Sequence, residues 1–246
     1  MGEDFRRFKE ETGLLTDSRV TESVSPSPFD YQKNCLMYLP KTPPHLKDGS
    51  YYDKLAEESA ALLEITQGHA LALFTSYAAM SAVKERLQNQ GLAYPLFTMS
   101  RNANHTTEQF KAHPGSVLLA TGAAWEGFDF PGDCVSLLII PRLPFAVPDA
   151  LKEKERKNHP SLRLFIRSVV VPEMQIKLKQ GFGRAIRTET DTCVVAILDE
   201  RVAKGQRYRK DVLAALPKMP VTNSLNDVKR FIRTVKGDDY FGEATS

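Results

Sequence analysis

Cysteine is scarce in this 246-residue sequence, and none of its three cysteines has a second Cys or His at a spacing typical of metal ligands. Cys35, Cys134 and Cys193 each lie in a hydrophobic stretch, which indicates reduced core residues. We therefore expect neither a zinc site nor an iron–sulfur cluster in this chain. The five histidines are scattered and form no catalytic constellation.

Long apolar runs are also missing. None approaches the roughly 20 residues that cross a bilayer, and the N-terminal MGEDFRRFKEE lacks the apolar stretch of a signal peptide. We therefore expect a cytoplasmic protein without membrane contact. The 42% share of hydrophobic residues nevertheless excludes a mostly disordered chain, and 246 residues suffice for one large α/β domain or two small ones.

Positive charge is concentrated in the second half of the chain. Residues 1–140 carry 12 basic and 17 acidic side chains, a net charge of −5, whereas residues 141–246 carry 21 and 13, a net charge of +8. A merely solvated surface usually intersperses both signs. The asymmetry slightly favours an anionic, phosphate-bearing ligand.

Short apolar runs alternate with helical patterns, which is typical of a mainly parallel sheet with helices on both faces. The six runs are Cys35–Leu39, His69–Thr75, Tyr94–Met99, Val117–Thr121, Cys134–Ile140 and Thr192–Leu198. Residues 1–28 are polar and are predicted to be a linker or tail from a preceding domain, and residues 29–246 a single domain. Residues 141–172 interrupt the alternation, and we expect an exposed excursion there that holds one or two helices.

The segment QGFGRAIR has the pattern Gln-x-x-Gly-Arg-x-x-Arg. Gln180, Arg184 and Arg187 recur at i, i+4 and i+7, so they are predicted to share one face of a helix. Gly183 lacks a side chain and would let a backbone or a ligand approach closely. Two guanidinium groups can bind phosphate oxygens bidentately, although a solvated basic helix is the alternative interpretation.

The segment LLATGAAWEGFDFPGD is predicted to be a buried strand that runs into a glycine-rich loop. Loops of this kind follow the carboxyl ends of parallel strands, where open α/β sheets bind ligands. Trp125 in this loop is a candidate for stacking on a base, but a lone Trp at such a place more often packs in the core.

Together these segments resemble the C-terminal motor domain of DinG-like helicases, in the DinG/XPD branch of superfamily two. QGFGRAIR resembles the last helicase motif and TGAAWEGFDFPG resembles motif V. The resemblance covers about residues 26 to 217, because SPFDYQKNCLMYLP, ALFTSYAAM, RLPF, VVPEM, AILDER and LAALP follow in the family's order. It implies a RecA-like, three-layer domain and an ATP-dependent DNA helicase that acts in DNA repair or replication.

The resemblance also implies roles for individual residues. Arg184 and Arg187 would act as arginine fingers on ATP, and Gln180 would orient them or the attacking water. The nucleotide would be contacted by Gly127, Asp129, Glu126 and Gly183, and Asp129 and Gly127 would sense the nucleotide or position the arginines. Single-stranded DNA would be bound by Thr75, Ser76, Ser100, Arg101, Thr121 and Trp125.

The sequence lacks G-x-x-x-x-G-K-[ST], the loop that holds nucleotide phosphates. We therefore expect Mg²⁺ and most of ATP to be held by a first motor domain of the same protein, and this chain alone to be inactive. The resemblance implies movement in the 5′-to-3′ direction, and we expect the protein to be a monomer. A non-catalytic nucleic-acid-binding module remains an alternative. A Rossmann-type enzyme is a weaker one, because G-x-G-x-x-G is missing after the first strand.

Overall fold

The computed structural model describes residues 5–23, 27–99, 103–125, 127, 129–130 and 132–242. Within these residues a seven-stranded sheet forms, with the order β3-β4-β2-β5-β6-β1-β7 and every pair parallel. The strands are β1 Cys35–Tyr38, β2 Ala70–Phe74, β3 Leu96–Thr98, β4 Val117–Thr121, β5 Leu137–Ile140, β6 Cys193–Ile197 and β7 Val221–Thr222. The predicted fold class is confirmed, and the first six strands fall within the six apolar runs.

The described helices are α1 Arg6–Thr12, α2 Tyr31–Asn34, α3 Tyr51–Ile65, α4 Tyr77–Asn89, α5 Ala103–Ala112, α6 Ala150–Lys157, α7 Leu162–Phe165, α8 Val171–Phe182, α9 Arg209–Ala215 and α10 Leu225–Val235. One face of the sheet is covered by α3, α4 and α10, and the other by α5, α8 and α9. The central strands are buried on both faces, which explains why they are continuous apolar runs without alternation.

The turn after α3 depends on a glycine. Gly68 has φ +74°, and a Cβ on it would collide with the carbonyl oxygen of Gly115. Any other residue would therefore be strained both by its backbone conformation and by this contact.

The excursion is helical and exposed along α6, and helical backbone continues across its predicted end at residue 172. Residues 162–182 form one continuous helical segment in which a π-helical stretch, Ile166–Val170, joins α7 to α8. Pro172 lies in the first turn of α8 and lacks an N–H, so it removes one helical hydrogen bond without a break in the segment.

Candidate functional site

The helix that carries Gln180 ends earlier than its sequence pattern predicts. Gly183 is the C-cap of α8, and the next N–H groups form i−3 turn bonds, from Arg184 to Gly181 O and from Ala185 to Phe182 O, both 3.0 Å long. Arg184 and Arg187 therefore follow the helix in a turn and a loop. The prediction that Gln180 shares one helical face with Arg184 and Arg187 is wrong.

Asp191 explains why the helix does not continue through Arg187. Its buried carboxylate accepts hydrogen bonds from the backbone N–H of Arg187 at 2.6 Å and of Thr188 at 2.7 Å. The Thr188 hydroxyl donates a third bond of 2.7 Å. These N–H groups would otherwise bond to carbonyl groups one turn back, so a local side-chain acceptor competes with the helix and fixes the loop.

Arg187 joins the two predicted motifs. Its Nε lies 2.8 Å from Oδ1 of Asp129, which belongs to the loop after β4. The side chains remain 32% and 64% exposed, respectively, so the pair lies at the surface. Such exposed pairs contribute about 0–1 kcal/mol.

Close packing between the two motifs occurs at Gly181 and not at Gly183. A Cβ on Gly181 would lie 2.8 Å from Cε3 and 2.9 Å from Cζ3 of Trp125, and 3.0 Å from Cδ1 of Leu73. At Gly183 the nearest atoms would be carbonyl oxygens at 3.5 Å, an ordinary contact. The close contact is made by side chains at Gly181, a glycine of the same motif that sequence analysis did not single out, and the approach of a ligand to Gly183 stays a prediction.

Trp125 packs in the core instead of presenting its ring to solvent. The residue is 1% exposed, and its Nε1 donates a 3.0 Å hydrogen bond to the carbonyl oxygen of Phe74 at the end of β2. The ammonium group of Lys177, in α8, lies 6.0 Å from the ring centroid. No ring face is accessible to a base, so Trp125 does not stack on DNA as predicted. Its buried ring instead fixes the loop after β4 against the core.

The rest of that loop is partly described. Gly127 is exposed with φ +104°, a conformation that favours glycine, and no atom lies within 4 Å of the position of a Cβ. The predicted nucleotide contact at Glu126 lies outside the described residues.

The predicted DNA contacts lie at the carboxyl ends of neighbouring strands. Thr75 and Ser76 follow β2 and are exposed, and Thr121 ends β4, where it pairs in register with Phe74. The Ser76 hydroxyl accepts a 3.2 Å hydrogen bond from Ala79 N–H and caps α4, which leaves its own proton for another acceptor. Thr121 is only 8% exposed. Ser100 and Arg101, the predicted contacts after β3, lie outside the described residues.

A buried ion pair that sequence analysis did not assign supports the start of the excursion. Asp199, after β6, accepts a 2.8 Å hydrogen bond from the backbone N–H of Leu143 and pairs with the guanidinium of Arg201. Burial raises the pKa of Asp199, but the hydrogen bonds and charge of Arg201 outweigh it and hold this pKa below its usual value. The Arg201 guanidinium also lies 4.7 Å from the ring centroid of Phe145, so AILDER is tied to RLPF.

The described residues contain no group of three or more His, Cys, Asp or Glu side chains that could hold a metal ion. They also contain no helix that is both long enough and apolar enough to pass through a lipid bilayer.

Comparison with known proteins identifies relatives over nearly the whole chain. A family model described as "Helicase C-terminal domain" matches residues 59–219. The ATP-dependent DNA helicase YoaA of Haemophilus influenzae is 32% identical over 235 residues, which are 95% of this chain and 36% of that protein. The ATP-dependent helicase DinG of Mycobacterium tuberculosis is 30% identical over 243 residues, 97% of this chain and 36% of that protein. The chain thus spans about a third of the length of these relatives.

Solved structures share the fold. An XPD helicase superposes with a TM-score of 0.56 at 19% identity, over 77% of this chain and 36% of the XPD chain. Dbp5 of S. cerevisiae, bound to RNA and ADP BeF3, superposes with a TM-score of 0.56 at 12% identity, over 96% of this chain and 53% of that chain.

Proposed function

Since this chain belongs to the helicase C-terminal domain family, in its DinG/XPD-like branch, we propose that it is the second motor domain of an ATP-dependent DNA helicase. In this proposal the chain binds single-stranded DNA and completes the ATP site of a first motor domain in the same protein. The larger protein would be a monomer that unwinds DNA in the 5′-to-3′ direction during repair or replication.

The observation that carries the proposal is the contact between Arg187 and Asp129, which brings the last motif against the loop after β4. The guanidinium is partly exposed and its present partner is a carboxylate, an anion that a phosphate oxygen resembles. When ATP on the first motor domain closes the cleft, its γ-phosphate would replace Asp129 as the partner of Arg187. Asp129 then positions the finger between cycles.

Arg184 would supply the second guanidinium and Gln180 would orient the arginines or the attacking water. Gly127, Glu126 and Gly183 would line the nucleotide side of the site. Arginine fingers of this kind typically contribute about 10³ to 10⁵ in rate, because they stabilise charge that develops on the transferred phosphoryl group. Release of the products would reopen the cleft and drive movement along DNA.

ATP and Mg²⁺ would be held mainly by the first motor domain, because this chain has no phosphate-binding lysine loop. The chain alone is therefore expected to be inactive. A mixture of the isolated chain with ATP and DNA should release no phosphate above background, whereas the full-length protein should release it with DNA present.

DNA would be bound through Thr75, Ser76 and Thr121, together with Ser100 and Arg101. Hydroxyl groups and backbone N–H groups at strand ends contact phosphates and read no base sequence. Binding is therefore expected to be non-specific and to weaken steeply with salt.

The decisive experiment is Arg187→Ala in the full-length protein. DNA-stimulated ATP turnover should fall by about 10³ or more, while binding of single-stranded DNA stays close to the wild type. Arg230→Ala, which removes an exposed, ion-paired arginine from α10, is the matched control and should leave turnover unchanged. Full turnover in the Arg187 variant would refute the finger assignment and favour a non-catalytic DNA-binding module.

A further inference from the structure

An open groove of about 770 Å³ lies between the helical excursion and α9. Three exposed arginines line it: Arg163 from α7, Arg167 from the π-helical stretch and Arg207 just before α9. Within the part of the chain that the structure describes, none of the three forms an ion pair. The lining also contains one carboxylate, that of Asp211, so the groove is strongly positive.

The walls of this arginine groove are held in place by the fold. The Gln175 side chain in α8 donates a 2.8 Å hydrogen bond to the backbone carbonyl oxygen of Asp211 in α9, which ties the two helices together. Tyr208 packs against Phe145 with ring centroids 4.9 Å apart, and the Arg207 guanidinium lies 5.2 Å from the Tyr208 ring. The arginines thus border a fixed surface with an aromatic ring.

The groove lies toward the edge of the sheet where the predicted DNA contacts lie. The helices α8 and α9 return the chain to the amino ends of β6 and β7, so their first turns, which line the groove, lie toward the carboxyl edge. In the strand order of the sheet, β5 and then β6 follow β2 along this carboxyl edge. Neighbouring strands are about 4.8 Å apart, so the carboxyl ends of β5 and β6 lie about 5 and 10 Å beyond that of β2.

We propose that the arginine groove binds the phosphodiester backbone of single-stranded DNA, as the continuation of the strand-end contacts over β3, β4 and β2. This inference rests on the proposed function and adds a second contact site to it. Guanidinium groups bind phosphate oxygens bidentately, and arginines beside an aromatic ring suit an unpaired strand, whose bases are free to stack.

The test is a fluorescence anisotropy titration of labelled oligothymidylate with this chain at several salt concentrations. Arg163→Gln with Arg167→Gln removes two groove charges, and Lys218→Gln with Lys229→Gln removes two exposed charges elsewhere as the matched control. The groove variant should bind about tenfold more weakly at low salt, and its salt slope should fall by about 1.4, since each phosphate contact on a single strand contributes about 0.7. The control should keep the wild-type slope.

Thermal unfolding midpoints of both variants should match the wild type, because all four side chains are exposed. If the wild-type chain binds the oligonucleotide and both variants bind equally well, the groove proposal is refuted, and an acidic protein surface becomes its better occupant. If the wild-type chain itself fails to bind, the proposed DNA contact of the whole domain fails with it. The two failures are thereby distinguished.

Discussion

Gly181→Ala tests whether the last motif and the loop after β4 are locked together by close packing. The new Cβ would lie 2.8–2.9 Å from two ring carbons of Trp125 and 3.0 Å from Leu73 Cδ1. Both neighbours are fully buried, so neither can move aside freely. Overpacking of this kind costs about 1–3 kcal/mol.

Gly183→Ala provides the matched control, because it adds the same methyl group two residues later with no contact shorter than 3.5 Å. Both substitutions reduce the conformational freedom of the unfolded chain, which stabilises by about 0.4–1 kcal/mol where the native backbone tolerates alanine. Gly181 also lies within α8, where alanine is favoured over glycine, so any deficit of Gly181→Ala relative to Gly183→Ala comes from the packing against Trp125. We expect Gly181→Ala to be less stable than Gly183→Ala by about 1–3 kcal/mol.

Thermal unfolding followed by circular dichroism measures this difference. For a domain of this size it corresponds to a midpoint about 2–12 °C lower in Gly181→Ala than in Gly183→Ala. Adding Trp125→Phe, which removes most of the ring surface facing Gly181, should cost less in the Gly181→Ala background than in the wild type. Equal midpoints for the two alanine variants, or strict additivity with Trp125→Phe, would refute the argument.

Two further predictions concern carboxylates. Asp199→Asn should cost about 3 kcal/mol at neutral pH by chemical denaturation, because the partly buried Arg201 loses its partner. The pKa of Asp199 is lowered in the folded state, so ionised Asp199 stabilises the fold above the unfolded pKa of about 3.9, and this stabilisation is lost as pH falls through the folded value. The difference in unfolding free energy between wild type and Asp199→Asn should therefore close below about pH 4. A difference that does not change with pH would contradict the assignment. Asp129→Asn in the full-length protein should lower kcat for DNA-stimulated ATP hydrolysis by about 10² through misplacement of Arg187, with less than about 1 kcal/mol lost in domain stability, and an unchanged kcat would make the ion pair incidental.

The sheet was predictable because its central strands are buried on both faces and therefore stand out as apolar runs. β7 was not, since it has two residues and its Val221 is 43% exposed, so no pattern distinguishes it from a loop. The continuous helical backbone across residue 172 was not predictable for a different reason. A proline at the first turn of a helix is compatible with continued helical backbone, and sequence alone does not show that a π-helical stretch precedes Pro172.

The candidate site shows the same division between local pattern and tertiary context. The resemblance placed QGFGRAIR and the loop after β4 at one nucleotide site, and Arg187 and Asp129 of these two segments form an ion pair. The pattern failed on geometry, because helical spacing assumes that backbone N–H groups bond one turn back. The carboxylate of Asp191, four residues after Arg187, accepts hydrogen bonds from two of those N–H groups. The i, i+4, i+7 spacing of Gln180, Arg184 and Arg187 gives no sign of that competition.

The loop geometry suits an arginine finger better than the predicted helical face would. The backbone at Arg187 is fixed by a buried carboxylate, whereas its guanidinium pairs with the exposed carboxylate of Asp129. A fixed backbone keeps the group within reach of the phosphoryl position at little entropic cost, and a weakly held side chain is free to change partner when the cleft closes. If Arg187 were bonded to a buried carboxylate through its side chain, that exchange would leave an unpaired buried charge and the finger could not act. The proposed mechanism therefore requires the arrangement found here, in which Asp191 bonds to the backbone of Arg187 and Asp129 pairs with its side chain.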